Sequence, residues 1–245
     1  MGPWSVLCFG RQVVRRLTAG LVGIVAVCKF GSISFMAVSM LVSLAAYAFA
    51  FGLSFAIGFV LLLFVHEFGH FFASRVVGLH VSKPLFIPFL GAVISLKQRP
   101  YNAKMEANIA IGGPAAGTLS ALVCLALYLW TDDILILVVA YAACLLNLFN
   151  LIPCEPLDGG RIAAAISPNL WWVGSFSVGA LFCYTQNIFL FVILVVSLLR
   201  LWKGDVLGSY YDLTLRQRLA VLFWYLGLLS VLGVMTLYIA DLLHN

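Results

Sequence analysis

The chain has 245 residues, of which 64% are hydrophobic and 9% charged, with a net charge of +5 and a mean hydropathy of +1.10. Soluble domains carry about a quarter charged residues, so this composition excludes a soluble globular protein. With its apolar runs near bilayer length, it defines a polytopic helical membrane protein.

The first twenty residues, MGPWSVLCFGRQVVRRLTAG, place Arg11, Arg15 and Arg16 behind a weakly apolar opening. No small-residue cleavage site follows a compact apolar core, so membrane attachment is expected from the spans themselves. Gly2 is present, but Val6 departs from the myristoylation pattern. Residues 1–32 read as a basic interfacial segment, with a full span at 13–30 as the alternative.

Apolar segments follow at 33–50, 52–77, 106–130, 134–152, 169–185, 187–202 and 217–241. Loop charges orient them. Arg75, Lys83, Lys97, Arg99 and Lys104 place the connection at 78–104 on the cytoplasmic side, and WTDD at 130–133 lies opposite. Arg161, Arg200, Lys203, Arg216 and Arg218 return to the cytoplasmic side, which requires 169–202 to be a hairpin turning near TQN. The expected fold is therefore an all-α bundle of six to seven transmembrane helices. Between the second and third spans, Pro84, Pro88, Gly91 and the β-leaning run AVISL predict a short hairpin rather than helix.

Six scattered cysteines without CxxC spacing read as small buried hydrophobes. Trp171, Trp172, Trp202 and Trp224 suit contact with lipid at the interface. The positive balance belongs to loops at a membrane surface, and no basic patch interleaved with aromatics supports a nucleic-acid partner. No oligomeric state follows from the sequence.

Within the second apolar segment stands FVLLLFVHEFGHFFASRVVG, residues 59 to 78. Polar groups left unpaired in such a setting cost several kcal/mol. HEFGH matches H-E-x-x-H: on a helix, His66 and His70 share a face and can present both imidazoles to one metal ion. Glu67, one residue on, can take the proton of an attacking water without being a ligand.

Catalytic zinc takes three protein ligands. His80 lies in a loop and His244 beside the C-terminus. Most acids fall in loops or at helix ends, and Glu106 starts a span beside Lys104. Glu155 and Asp158 remain, both in NLFNLIPCEPLDGGR at 147–161. Here Pro153 and Pro156 remove two backbone donors and force extended chain. The segment can swing Asp158 towards another helix, or it is simply the exit of a span with its polar residues at the water interface.

HEFGH in an apolar helix, followed some eighty residues later by FNLIPCEPLDGGR, resembles the site-2 protease family of intramembrane zinc metalloproteases. IGGPAAG at 111–117 resembles the small-residue helix that the family places between these motifs. The likeness covers about residues 50–165. It implies that His66, His70 and Asp158 hold one Zn2+, that Glu67 activates water, and that Asn150 contacts the substrate carbonyl or its oxyanion. It further implies a transmembrane protein substrate cut within the lipid bilayer, and an active site nearer the cytoplasmic side of a membrane, here expected to be prokaryotic.

On this reading residues 33–204 form the metalloprotease core and 205–245 a C-terminal loop with an additional transmembrane helix. Neither a PDZ-like insertion nor a CBS domain is expected from these residues, a departure from better-known members of the family. The strand-like run AVISL can offer an edge to an unwound substrate, or 81–96 can lid the site. The competing readings are a membrane zincin that cuts loop or soluble peptides, a metal-binding transporter or scaffold without catalysis, and an inactive relative.

Overall fold

A computed structural model describes residues 32–79, 85–87, 91–93, 100–203 and 208–244. The expected basic interfacial segment therefore lies, except for Ser32, outside the described residues, as does His80.

Eight α-helices are described: α1 Ser32–Phe51, α2 Leu53–Val76, α3 Ala103–Thr131, α4 Ile134–Asn150, α5 Asp158–Ile166, α6 Leu170–Thr185, α7 Ile188–Lys203 and α8 Leu215–His244. A short 3-10 turn at Gly208–Tyr211 precedes α8. Strands β1 Leu85–Ile87 and β2 Gly91–Val93 pair antiparallel, with Phe86 opposite Ala92.

The helix ends have local causes. Gly52 separates α1 from α2 at φ 88°, a backbone conformation that a residue without Cβ adopts at little cost. The Asn102 side chain accepts from the Met105 N–H at 2.9 Å and opens α3. The adjacent aspartates divide the next turn: Asp132 closes α3 in the left-handed region, and the Asp133 side chain caps α4 by accepting from Leu135 N–H at 2.9 Å. Gln186, at φ 53°, makes the corresponding turn between α6 and α7. After α4, Pro153 and Pro156 prevent helix until Asp158.

The seven apolar segments correspond to α1–α4 and α6–α8, each end within three residues. Among the described residues, α2, α3 and α8 are long and apolar enough to cross a membrane, while Met36–Phe51 of α1, α4, α6 and Ile188–Trp202 of α7 are shorter apolar stretches. α5 has only nine residues and was not anticipated as a separate helix. Gly159 and Gly160 in its first turn give it a weak intrinsic preference for helix.

α3 is the central element, packed against α2, α4, α5 and α8. Its Ala107, Ala110 and Ala121, with Ala140 and Ala143 of α4, are fully buried. Residues this small let helix backbones approach closely, the main source of helix association when lipid is the solvent. α8 adds Val221, Leu228, Leu232 and Ile239 to the same core. α6 and α7 form a hairpin joined by a buried Ser175–Ser197 hydroxyl pair at 2.6 Å. The outward faces carry exposed Leu61, Leu129, Phe223 and Leu237, as expected for surfaces that meet acyl chains. The chain is an integral membrane protein.

Candidate metal centre

α2 delivers His66 and His70 one turn apart, and α5 delivers Asp158 from its first turn. All three are buried. His66 Nε2 lies 3.1 Å from His70 Nε2 and 3.2 Å from Asp158 Oδ2, and His70 Nε2 lies 3.1 Å from that same oxygen. Among the described residues this is the one group of three such side chains able to hold a metal ion.

The other ring nitrogens decide the chemistry. His70 Nδ1 lies 2.9 Å from the Ile109 carbonyl, which can only accept, so Nδ1 carries the proton and donates. His66 Nδ1 lies 2.9 Å from Asn147 Oδ1. The Asn147 amide is oriented by its own Nδ2, which donates to the Ala143 carbonyl at 2.7 Å, so Oδ1 is the atom facing the imidazole. With both Nδ1 atoms protonated, the two neutral imidazoles turn lone pairs towards each other and towards a carboxylate oxygen. Three acceptors this close repel unless a cation lies among them. Nitrogen ligands of one tetrahedral zinc, each bound at about 2.0–2.1 Å, stand roughly 3.3 Å apart, and the spacings here are close to that. The residues fit a divalent metal ion with two imidazoles and one carboxylate, a set that suits zinc or iron.

Room for this arrangement comes from α3. A Cβ on Gly113 would stand 2.2 Å from His70 Nε2 and 2.8 Å from His66 Nε2, and one on Gly117 would stand 2.1 Å from Asn147 Oδ1. The small-residue run at 111–117 divides between two tasks. Gly112 packs against Gly69, whereas Gly113 and Gly117 clear space for the polar side chains.

Glu67 is buried beside the pair, within the field of His70, His66, Asp158 and Arg161. The two acids left open by the sequence separate in space. Asp158 joins the histidines, whereas Glu155 turns to Arg200, 4.0 Å from its Nε. Burial pushes the Glu155 carboxyl above its ordinary value, against the pull of Arg200 and Arg161. Asn150, the expected contact for a substrate carbonyl, donates its amide to the Leu146 carbonyl at 3.2 Å and is partly buried. Asn147 was not singled out as a site residue. The available signal was an amide inside an apolar helix, which needs a partner at membrane depth.

The fold and site define an integral membrane protein with a buried group of two histidines and one aspartate that could hold a metal ion, and a glutamate beside it. Residues 54–133, about a third of the chain, match the profile of peptidase family M50. A zinc metalloprotease of Methanocaldococcus jannaschii is 36% identical over 115 residues, 43% of this chain and 33% of the relative's length. The chain thus covers about a third of the curated relative that it matches. The solved site-2 protease of the same organism is 22% identical, with a TM-score of 0.45 over 77% of this chain and 84% of the other.

Proposed function

We propose that the chain is an intramembrane zinc endopeptidase, which hydrolyses peptide bonds within or near transmembrane helices of substrate proteins in regulated intramembrane proteolysis. The observation that carries this reading is the convergence of three lone-pair donors from His66, His70 and Asp158, with Glu67 beside them, in a chain of membrane-spanning helices. A zinc ion held there supplies Lewis acidity to a peptide carbonyl and lowers the pKa of water towards about 7.

The chain's own groups do the rest. Glu67 receives the proton of the attacking water and passes it to the leaving amine. The carbonyl of Ile109 and the side chain of Asn147 hold the imidazoles in the tautomer that leaves Nε2 free. Asn150, at the end of α4, is assigned to the oxygen of the scissile carbonyl, where developing charge needs a donor. The backbone edge of β2 is assigned to pairing with the substrate after its helix has unwound locally. The loop charges support a site nearer the cytoplasmic face, and the membrane is assigned as a prokaryotic cytoplasmic one.

The test uses purified protein in detergent with a panel of single-span model substrates, each cut located by mass spectrometry. Cleavage within the span, lost in Glu67→Gln and restored by zinc to chelator-treated wild type, is the expected result. Cuts confined to soluble flanks would instead identify a membrane zincin for loop peptides. Absence of both product and bound ion would remove the enzymatic reading.

A further inference from the structure

α8 lies outside the region that matches the family profile, yet it makes two polar contacts with the segment that carries Asp158. Tyr225 is buried, and its hydroxyl donates to the Leu151 carbonyl at 2.7 Å. That carbonyl is the first beyond the end of α4 and so has no partner within the helix. The first turn of α5 rests directly on it: a Cβ on Gly159, the residue after Asp158, would stand 2.2 Å from the same oxygen. At the other end of α5, Arg218 Nη1 donates to the carbonyl of Ile166, the helix's last residue. The remaining donors of Arg218 reach the carbonyls of Tyr211 at 2.8 Å and Leu213 at 3.3 Å, which fixes the guanidinium.

A nine-residue helix with two glycines in its first turn does not hold itself in place. Its register along the bundle has to be imposed from outside, and the two ends of the segment 151–166 both meet side chains of α8. We propose that α8 is the positioning element of the metal centre, with Tyr225 and Arg218 as positioning residues. They hold α5 at its two ends and so keep the Asp158 carboxylate on the two imidazoles. Without them α5 can rotate or slide by the few tenths of an ångström that a metal ligand does not tolerate. The inference rests on the metal-centre reading above.

The experiment titrates cobalt(II) into the detergent-solubilised full chain, following affinity and the visible absorption of the bound ion alongside melting temperature. Tyr225→Phe, which keeps the ring and removes only the donor, and Arg218→Gln are each expected to weaken binding on the order of tenfold and to alter the spectrum. Arg218→Lys is expected to recover part of the loss. Leu232→Ala, which empties a buried position on the same helix, is expected to lower the melting temperature and leave affinity and spectrum unchanged. The proposal is overturned if Tyr225→Phe and Arg218→Gln bind cobalt as wild type does. It is equally overturned if Leu232→Ala weakens binding as much as they do, because the effect would then be one of general stability. Cobalt binding that survives His66→Ala would overturn the metal-centre reading itself, and this inference with it.

Discussion

Asn147 Oδ1 accepts from His66 Nδ1 at 2.9 Å, and Asn147 Nδ2 donates to the Ala143 carbonyl at 2.7 Å. The first bond selects the tautomer of a candidate metal-ligating ring, and the second prevents the amide from turning over. Loss of such a partner costs about 10–100-fold in metal affinity. Asn147→Leu, similar in size and without the acceptor, is therefore expected to bind zinc more weakly by that factor, read by competition with a fluorescent chelator.

Asn150, three residues further on, is expected to behave differently. Its amide is engaged with Leu146 O rather than with a histidine, and its proposed task arises only when charge develops on the substrate. Removing one such donor costs about 10²–10³ in kcat. Asn150→Ala should keep zinc affinity and lose turnover. Weakened ion binding in this variant would contradict the assigned role.

Gly113 tests the clearance around the imidazoles. An alanine methyl there would meet His70 Nε2 at 2.2 Å, and this atom is meant to face the ion. Gly113→Ala is expected to abolish stoichiometric zinc binding and to cost about 1–3 kcal/mol through overpacking. Gly233→Ala, on α8, has no atom within 4 Å of its new methyl and should leave binding intact. Equal zinc content in Gly113→Ala and wild type would show that the rings sit elsewhere when loaded.

Glu67→Gln keeps the volume and removes the base. Groups in this role contribute about 10²–10⁴-fold, so single-turnover cleavage should slow by that range while zinc stoichiometry stays at one. Loss of the ion along with activity would make Glu67 a ligand rather than a base.

Charge on the second strand probes the substrate edge. Val93→Asp and Val93→Lys are expected to slow cleavage of a membrane-spanning substrate and leave zinc content unchanged. Unaltered rates would remove β2 from substrate handling.

The histidine pair was legible because one helical turn is a fixed distance: residues four apart on α2 must share a face. The helix ends were legible to a similar degree, since Gly52, the Asp132–Asp133 pair and Gln186 interrupt otherwise continuous apolar runs. The choice between Glu155 and Asp158 was not legible from spacing. Two prolines hide the direction in which the chain leaves α4, and only the family likeness favoured the aspartate. α5 escaped notice because nine residues beginning Asp-Gly-Gly carry almost no helical signal. The contacts of Tyr225 and Arg218 were beyond reach for another reason. They join positions 74 and 52 residues apart in sequence, and no local pattern specifies which carbonyl a distant hydroxyl or guanidinium will find.

The contact between Gly69 and Gly112 has a mechanical consequence. A Cβ on either would stand within 2.5 Å of the other's carbonyl oxygen, so α2 and α3 touch backbone to backbone. The His70–Ile109 bond ties the same two helices one turn away. There is no slack for these helices to part and no lubricating layer of side chains for them to slide on. Under the proposed function, a substrate helix would have to be admitted past other walls. α1 meets α2 through side chains, Met36, Met40, Leu44 and Tyr47 against Ala56, Val60 and Leu63, and α6 meets α7 through Val178 and Phe182 against Leu190 and Leu194 and the Ser175–Ser197 pair. The rigid seam of the bundle is at Gly69 and Gly112, whereas these other contacts are made by side chains that can repack.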